Sequence, residues 1–166
     1  SHWSKVRFTG PDRKKFLNGL LTNDIAALKP MSGCPACLLT PKGKLLADLE
    51  LYDRGDDILA LISGQAMGNF TAAISRKIIL SETQMEDVGA STALFYLAGP
   101  RALSLLSELF GIFFDSEAQV HSVEWSGAAL HMMAYRRLLS EGFLITLPAA
   151  RAPSFWDFLM KAGASR

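Results

Sequence analysis

Val6-Arg7-Phe8-Thr9-Gly10-Pro11 is a β-prone run that ends at Gly-Pro and leads into an apolar-periodic stretch over Asp12 to Leu21. The same pattern returns as Phe95-Tyr96-Leu97-Ala98-Gly99-Pro100, followed by a second helical stretch over Arg101 to Phe110. In both, a strand closes at Gly and Pro opens a helix, where its missing N–H is harmless. The later halves match as well: Ile58-Leu59-Ala60-Leu61-Ile62-Ser63 precedes a helix containing Phe70, and Phe143-Leu144-Ile145-Thr146-Leu147-Pro148 precedes one containing Phe155 and Trp156. The chain therefore reads as a duplicated strand–helix–strands–helix unit with an internal boundary near Gly89-Ala90-Ser91. No flexible low-complexity linker separates the halves, so residues 1–166 are expected to form a single domain of two interlocked subdomains, about 1–89 and 90–166.

Strands are predicted near Lys5 to Thr9, Ala36 to Thr40, Leu45 to Tyr52, Asp57 to Ser63, Thr83 to Val88, Thr92 to Ala98, Val120 to Trp125, Ala128 to Tyr135 and Phe143 to Leu147. Helices are predicted at Asp12 to Leu21, Gln65 to Leu80, Arg101 to Phe110 and Ala152 to Ala162. Short turns between strands imply mostly antiparallel sheets with helices packed on them, an α+β fold. Two such units face to face are expected to leave a cleft.

One hairpin carries chemistry. Pro41-Lys42-Gly43-Lys44 is a tight turn, with Pro presetting φ and Gly taking a conformation that other residues resist. Along Leu45 to Tyr52 side chains alternate, so Leu45, Ala47, Leu49 and Leu51 face a core while Leu46, Asp48, Glu50 and Tyr52 face the other way. A Leu, two acids and a Tyr suit a pocket wall. Alternation with acids outward also suits an ordinary half-exposed strand.

Composition narrows the classes. With 166 residues, 49% of them hydrophobic, the chain can bury one substantial core or two small ones. A net charge of +1, with Lys and Arg scattered, leaves no electrostatic footprint for nucleic acid. The most apolar stretch, Ala93 to Phe114, is broken by Pro100, Arg101 and Glu108, so no membrane span is expected. No signal-peptide pattern is present, and a cytoplasmic location is the default expectation. Cys34-Pro35-Ala36-Cys37 has thiol–disulfide spacing, but it runs into a strand at Ala36 rather than a helix, which removes the usual stabilisation of a reactive thiolate. His2, His121 and His131 show no metal-ligand spacing with it. Two small side chains at a strand entry are expected.

Val6 to Asp12, then Phe16-Leu17-Asn18-Gly19-Leu20-Leu21-Thr22-Asn23-Asp24, then Leu39-Thr40-Pro41-Lys42-Gly43-Lys44 resemble the start of the folate-binding domain shared by two related groups. One is the aminomethyltransferase (T-protein) of the glycine cleavage system; the other is the YgfZ-type folate-dependent proteins of iron–sulfur enzyme maintenance and tRNA modification. The resemblance covers nearly the whole chain. It implies tetrahydrofolate as the cofactor. In the T-protein the second acid of a Gly-Gly-x-x-Asp-Asp-Leu segment lies near the folate nitrogen, and aligning the hairpin glycine sets Asp48 on it, with Ala47 at the first acid. Tyr52 matches an aromatic four residues on. Asp48 is thus the implied catalytic residue, with Leu46, Asp48, Tyr52, Ser63 and Glu141 as the implied cofactor-binding set. A carboxylate there could steer the ligand or exchange a proton with it.

The departures are as informative. Ser63 falls where T-proteins typically carry the Asn of Val-Asn. The Gly-Tyr-x-Gly-Glu-x-Gly-Phe-Glu run meets Arg136 to Leu144, which keeps Gly142-Phe143 but sets Ser140, or with a small shift Glu141, at the pocket Glu. The Lys-Gly-Cys-Tyr-x-Gly-Gln-Glu segment of YgfZ proteins has no counterpart, and both families continue into further strands and a C-terminal barrel not found here. A tetrahydrofolate-binding YgfZ-like role is therefore the leading expectation, with an iron–sulfur or lipoyl-carrier protein as partner and no direct nucleic-acid or membrane contact. A working aminomethyltransferase is the alternative, and a non-catalytic interaction remnant the third reading. Arg136-Arg137 could hold an anionic tail or form a solvated turn. Asn23-Asp24 is expected to serve capping and turn formation. Trp3, Trp125 and Trp156 are expected as packing anchors.

Overall fold

The structure is a computed structural model that describes residues 3–115, 118–135 and 142–164. Nine strands and four α-helices run in the order β1 (Trp3–Thr9), α1 (Arg13–Asn18), β2 (Ser32–Leu39), β3 (Leu45–Asp53), β4 (Ile58–Ser63), α2 (Met67–Ile74), β5 (Gln84–Asp87), β6 (Thr92–Ala98), α3 (Ala102–Phe110), β7 (Val120–Trp125), β8 (Ala128–Tyr135), β9 (Gly142–Pro148) and α4 (Ala152–Lys161) among the described residues. Short 3-10 turns lead into α2 and α4 and follow α2. The chain divides into two compact units, Ser1–Gly89 and Ala90–Arg166.

The first unit holds a five-stranded sheet in the order β2-β3-β4-β1-β5, and the second a four-stranded sheet in the order β6-β9-β8-β7. Every pairing is antiparallel. Read from its other edge, the second sheet is β7-β8-β9-β6, the order of β2-β3-β4-β1. The repeated Gly-Pro therefore marks a repeated topology: α+β, antiparallel, with the first strand of each unit lying beside its last long strand.

Each unit has its own core. In the first, Phe8, Leu17, Leu49, Leu51, Ile62, Phe70 and Ile74 are sealed from solvent between one sheet face and the helices. Burial of each such side chain stabilises the fold by about 1.5–3 kcal/mol. In the second, Leu106, Met132, Ile145 and Phe155 play the same part. Trp125 packs edge-on to Phe155 with ring centroids 5.1 Å apart, and Trp156 stacks on Phe95 at 6.3 Å.

Turn chemistry fixes the hairpins. Gly43, at φ +78°, closes the β2–β3 loop, where its N–H donates to the Thr40 carbonyl (2.9 Å). Ser126 and Gly127 both take positive φ, the two-residue turn that matches strand twist. Gly10, at φ +97°, has a different reason: a Cβ there would lie 2.1 Å from the Glu82 carbonyl oxygen. Asp12, the next acid of the Gly-Pro-Asp run, does not cap α1; its Oδ2 accepts the Glu82 N–H at 3.1 Å. Together they bind the start of α1 to the segment entering β5.

Three elements differ from the sequence reading. The helix predicted over Asp12 to Leu21 stops at Asn18, because Leu21 is drawn into a β-bridge with Leu38. The helix predicted over Gln65 to Leu80 is α-helical only from Met67 to Ile74; Phe70 and Ile74 are its buried anchors, and beyond them Ile79 and Leu80 are exposed. Strand β2 begins at Ser32 rather than Ala36, so Cys34-Pro35-Ala36-Cys37 lies inside a strand. Pro is tolerated there because β2 is an edge.

Candidate functional site

The face of the first sheet turned away from its helices carries the candidate residues, and strand register orders them in rows. Cys37 lies opposite Asp48, and Ser63 opposite Trp3. The β3–β4 ladder ends with Leu49 opposite Ile62; one residue further, the same register sets Asp48 beside Ser63. The first row is thus Cys37, Asp48, Ser63, Trp3, about 14 Å across at strand spacing. The second is Pro35, Glu50, Leu61, Lys5, and the third is Gly33, Tyr52, Leu59, Arg7, Glu86.

Burial changes along this face. Asp48 and Ser63 are half-buried, whereas Glu50 is 6% exposed, Tyr52 4%, Lys5 6%, and Leu59 and Leu61 are sealed. The Asp48 carboxylate has the Cys37 thiol beside it, with Sγ 3.9 Å from Oδ1. Tyr52 lies with its ring on the Gly33 backbone, where a Cβ would come within 2.5 Å of the ring. Burial lowers the Lys5 pKa from the ordinary lysine value, against the opposing pull of Asp87. The face therefore combines an accessible carboxylate and hydroxyl at one end with a closely packed, charge-bearing floor at the other.

The two cysteines part company. Three residues apart on one extended strand, they point to opposite faces, with Cα atoms about 10 Å apart, beyond disulfide reach. Cys34 packs against the core, and burial, helped by the Glu50 charge, pushes its thiol up to about 11. Both are free. Among the described residues no group of three or more His, Cys, Asp or Glu could hold a metal ion.

The Thr-Asn-Asp run serves the edge of β2. The Cys37 N–H donates to Thr22 Oγ1 (2.9 Å), the Thr22 N–H donates to the Cys37 carbonyl (3.0 Å), and Asn23 Nδ2 donates to the Pro35 carbonyl (2.9 Å). Asp24 Oδ1 accepts the Ala27 N–H (3.1 Å). Asn23-Asp24 thus forms turns, and in addition covers a strand edge that sequence alone did not disclose. Glu141 and Arg136-Arg137 lie outside the described residues. Of the implied set, Asp48, Tyr52 and Ser63 share one face; alternation fails at Leu46, which falls at the register shift between the Leu38–Ala47 and Leu39–Leu45 pairs and packs against the core of the first unit. Cys37, Glu50 and Lys5 join them there; the turn alone, with Leu39 opposite Leu45, would set Cys37 opposite Ala47, and the register shift between Leu38 and Leu39 is what brings Cys37 to Asp48.

This donor set fits a pterin. A carboxylate can take up two N–H groups along the edge of such a ring, and a hydroxyl can take a third.

The protein-family model for the GCVT N-terminal domain matches residues 1–166, and the chain belongs to that family. It is 25% identical to the aminomethyltransferase of Desulforamulus reducens, over 99% of this chain and 46% of that protein. It is 30% identical to the tRNA-modifying protein YgfZ of Serratia proteamaculans (95% and 46%), and 26% identical to the heme-dependent oxidative N-demethylase gamma subunit of Ectopseudomonas mendocina (96% and 42%). The chain spans less than half the length of these relatives. The crystal structure of the glycine cleavage system aminomethyltransferase T from Bartonella henselae shares the fold, with a TM-score of 0.80 at 21% identity over 95% of this chain and 43% of that one. No helix of the described residues is long and apolar enough to cross a membrane.

Proposed function

We propose that this chain binds tetrahydrofolate on the β3 face and acts as the folate-binding part of a YgfZ-like protein, in iron–sulfur enzyme maintenance or tRNA modification in the cytoplasm. The observation that carries the reading is the row in which Asp48 stands between Cys37 and Ser63, at the accessible end of an otherwise closed face. Asp48 would hold the pterin edge and Ser63 a further polar atom, with Leu46 and Tyr52 bounding the pocket. Bound reduced folate supplies nucleophilic nitrogens that can accept a one-carbon unit. Asp48 would orient them and exchange a proton there. The protein partner in this reading is an iron–sulfur protein.

The relatives named aminomethyltransferase favour a second reading, transfer of a lipoyl-bound one-carbon unit to tetrahydrofolate. In that case the partner is a lipoyl carrier. The Ser63 substitution for the Asn of T-proteins argues for the first reading.

Calorimetric titration of tetrahydrofolate into wild type and Asp48→Asn, under reducing conditions, tests both. The expected result is micromolar binding weakened tenfold or more by the substitution, about 1.4 kcal/mol. No binding by folded wild type overturns the proposal and leaves the interaction remnant. Methylenetetrahydrofolate formation from an aminomethyl-lipoyl carrier would select the second reading.

A further inference from the structure

The Thr-Asn-Asp run and the Cys-x-x-Cys spacing converge on one residue, Cys37. It lies on the edge strand β2, where its N–H donates to Thr22 Oγ1 (2.9 Å) and its carbonyl accepts the Thr22 N–H (3.0 Å). With both backbone groups turned outward to Thr22, Cys37 and Asp48 form the non-hydrogen-bonded kind of antiparallel pair, in which Cα atoms lie about 4.5 Å apart and side chains approach most closely. The thiol accordingly reaches the carboxylate, with Sγ 3.9 Å from Oδ1.

This pairing depends on one extra residue. Leu39 lies opposite Leu45 and Leu38 opposite Ala47, so Leu46 is bulged out of the ladder. A regular ladder counted from the turn would set Asp48 opposite Ala36, a core residue, and not opposite Cys37. Bulges re-aim side chains in this way. Here the bulge brings an acid and a thiol to the same face, and Thr22 holds the backbone of the thiol residue from outside.

A thiol is a weak donor and carries no charge. A Lys or Arg in its place would pair with the carboxylate, whereas the thiol beside Oδ1 restricts rotation of the carboxylate and leaves its charge. We propose that Cys37, clamped by Thr22, is a positioning residue for Asp48: it orients the carboxylate toward the N–H edge of a reduced folate and does not itself touch the ligand. The role rests on the folate reading of this face.

Two measurements test it, the first without folate. In a Cys34→Ala host, which leaves a single thiol, the infrared S–H band of Cys37 should be broadened and lowered by the carboxylate, and should sharpen and rise when Asp48→Ala is added. The second is titration of tetrahydrofolate, under reducing conditions, into wild type, Cys37→Ala, Asp48→Ala and the double variant, each with native circular dichroism. Cys37→Ala should raise the dissociation constant roughly threefold or more in the wild-type background. In the Asp48→Ala background it should change nothing, because its effect passes through the carboxylate. Thr22→Val should weaken binding as Cys37→Ala does, and Thr22→Ser, which keeps the acceptor for the Cys37 N–H, should bind like wild type. An S–H band unmoved by Asp48→Ala, equal weakening by Cys37→Ala in both backgrounds, or a Cys37→Ala variant that binds like wild type while Asp48→Ala does not would each overturn the positioning role and leave the folate reading standing. Absence of folate binding in folded wild type overturns the folate reading and the positioning role with it.

Discussion

The Lys14 ammonium lies 2.6 Å from Asp53 Oδ2, and the Asp53 side chain is only 1% exposed. Lys14 also donates to the Leu28 carbonyl (2.7 Å), and Asp53 Oδ1 accepts the Gly55 N–H (2.9 Å). This pair ties α1 to the end of β3. Lys14→Met would leave the carboxylate buried with one backbone donor, a loss of about 3 kcal/mol. Asp53→Asn keeps the Gly55 contact and should lose less. Urea unfolding of the two variants measures the difference.

Gly10 and Gly99 occupy the same place in the two repeats, yet their surroundings differ. Both have positive φ, +97° and +121°, but a Cβ at Gly99 meets nothing within 4 Å, whereas one at Gly10 collides with the Glu82 carbonyl. Gly99→Ala should cost about 1–3 kcal/mol from backbone strain alone. Gly10→Ala should cost clearly more, since the β5 approach must also shift. Thermal denaturation of both ranks them.

Burial raises the Cys34 thiol from 9.0 to about 11, so the native state keeps a proton that the unfolded chain releases. By linkage this contribution to stability is complete below pH 9 and is lost as pH rises toward 11. Lys5 acts with the opposite sign: its lowered pKa means the native state sheds its proton first, so that contribution improves with rising pH. Cys34→Ala therefore isolates the alkaline loss, read from unfolding curves across that range. At pH 8 alkylation should mark Cys37 before Cys34, and mass spectrometry of labelled peptides checks the order.

The cover on β2 is worth testing by itself. Thr22→Val removes the acceptor of the Cys37 N–H and Asn23→Ala the donor to the Pro35 carbonyl, each costing about 1 kcal/mol. Hydrogen exchange should speed at the Cys37 amide in Thr22→Val while β4 amides stay protected.

The architecture was legible because its signals are local. Gly10-Pro11 and Gly99-Pro100 mark the start of each repeat, and Lys42-Gly43 and Ser126-Gly127 set hairpins at fixed positions. The start of β2 was hidden because Pro35 and two cysteines read as a strand entry, whereas the ladder to β3, with Ser32 opposite Asp53 and Pro35 opposite Glu50, and contacts from Thr22 and Asn23 hold that segment extended. Alternation put Asp48, Glu50 and Tyr52 on one face. It could not reveal that Glu50 is buried while Asp48 is accessible, because that depends on what lies above each row. The adjacency of Asp48 and Ser63 needed the register across the Arg54–Asp57 turn. That turn is fixed by a two-point ion pair between those residues, with distances of 2.7 and 2.6 Å.

The Tyr52 ring rests on Gly33, its direct partner across the β2–β3 ladder, and in the second sheet the Tyr96 ring rests on Gly142, which the ladder pairs with Ala98. A flat ring can sit on a bare backbone only where the neighbouring strand offers glycine. If β2 slid by two residues, Met31 or Pro35 would meet Tyr52 and the ring would have no seat. The Tyr52 ring thus favours the one register in which Gly33 lies opposite it.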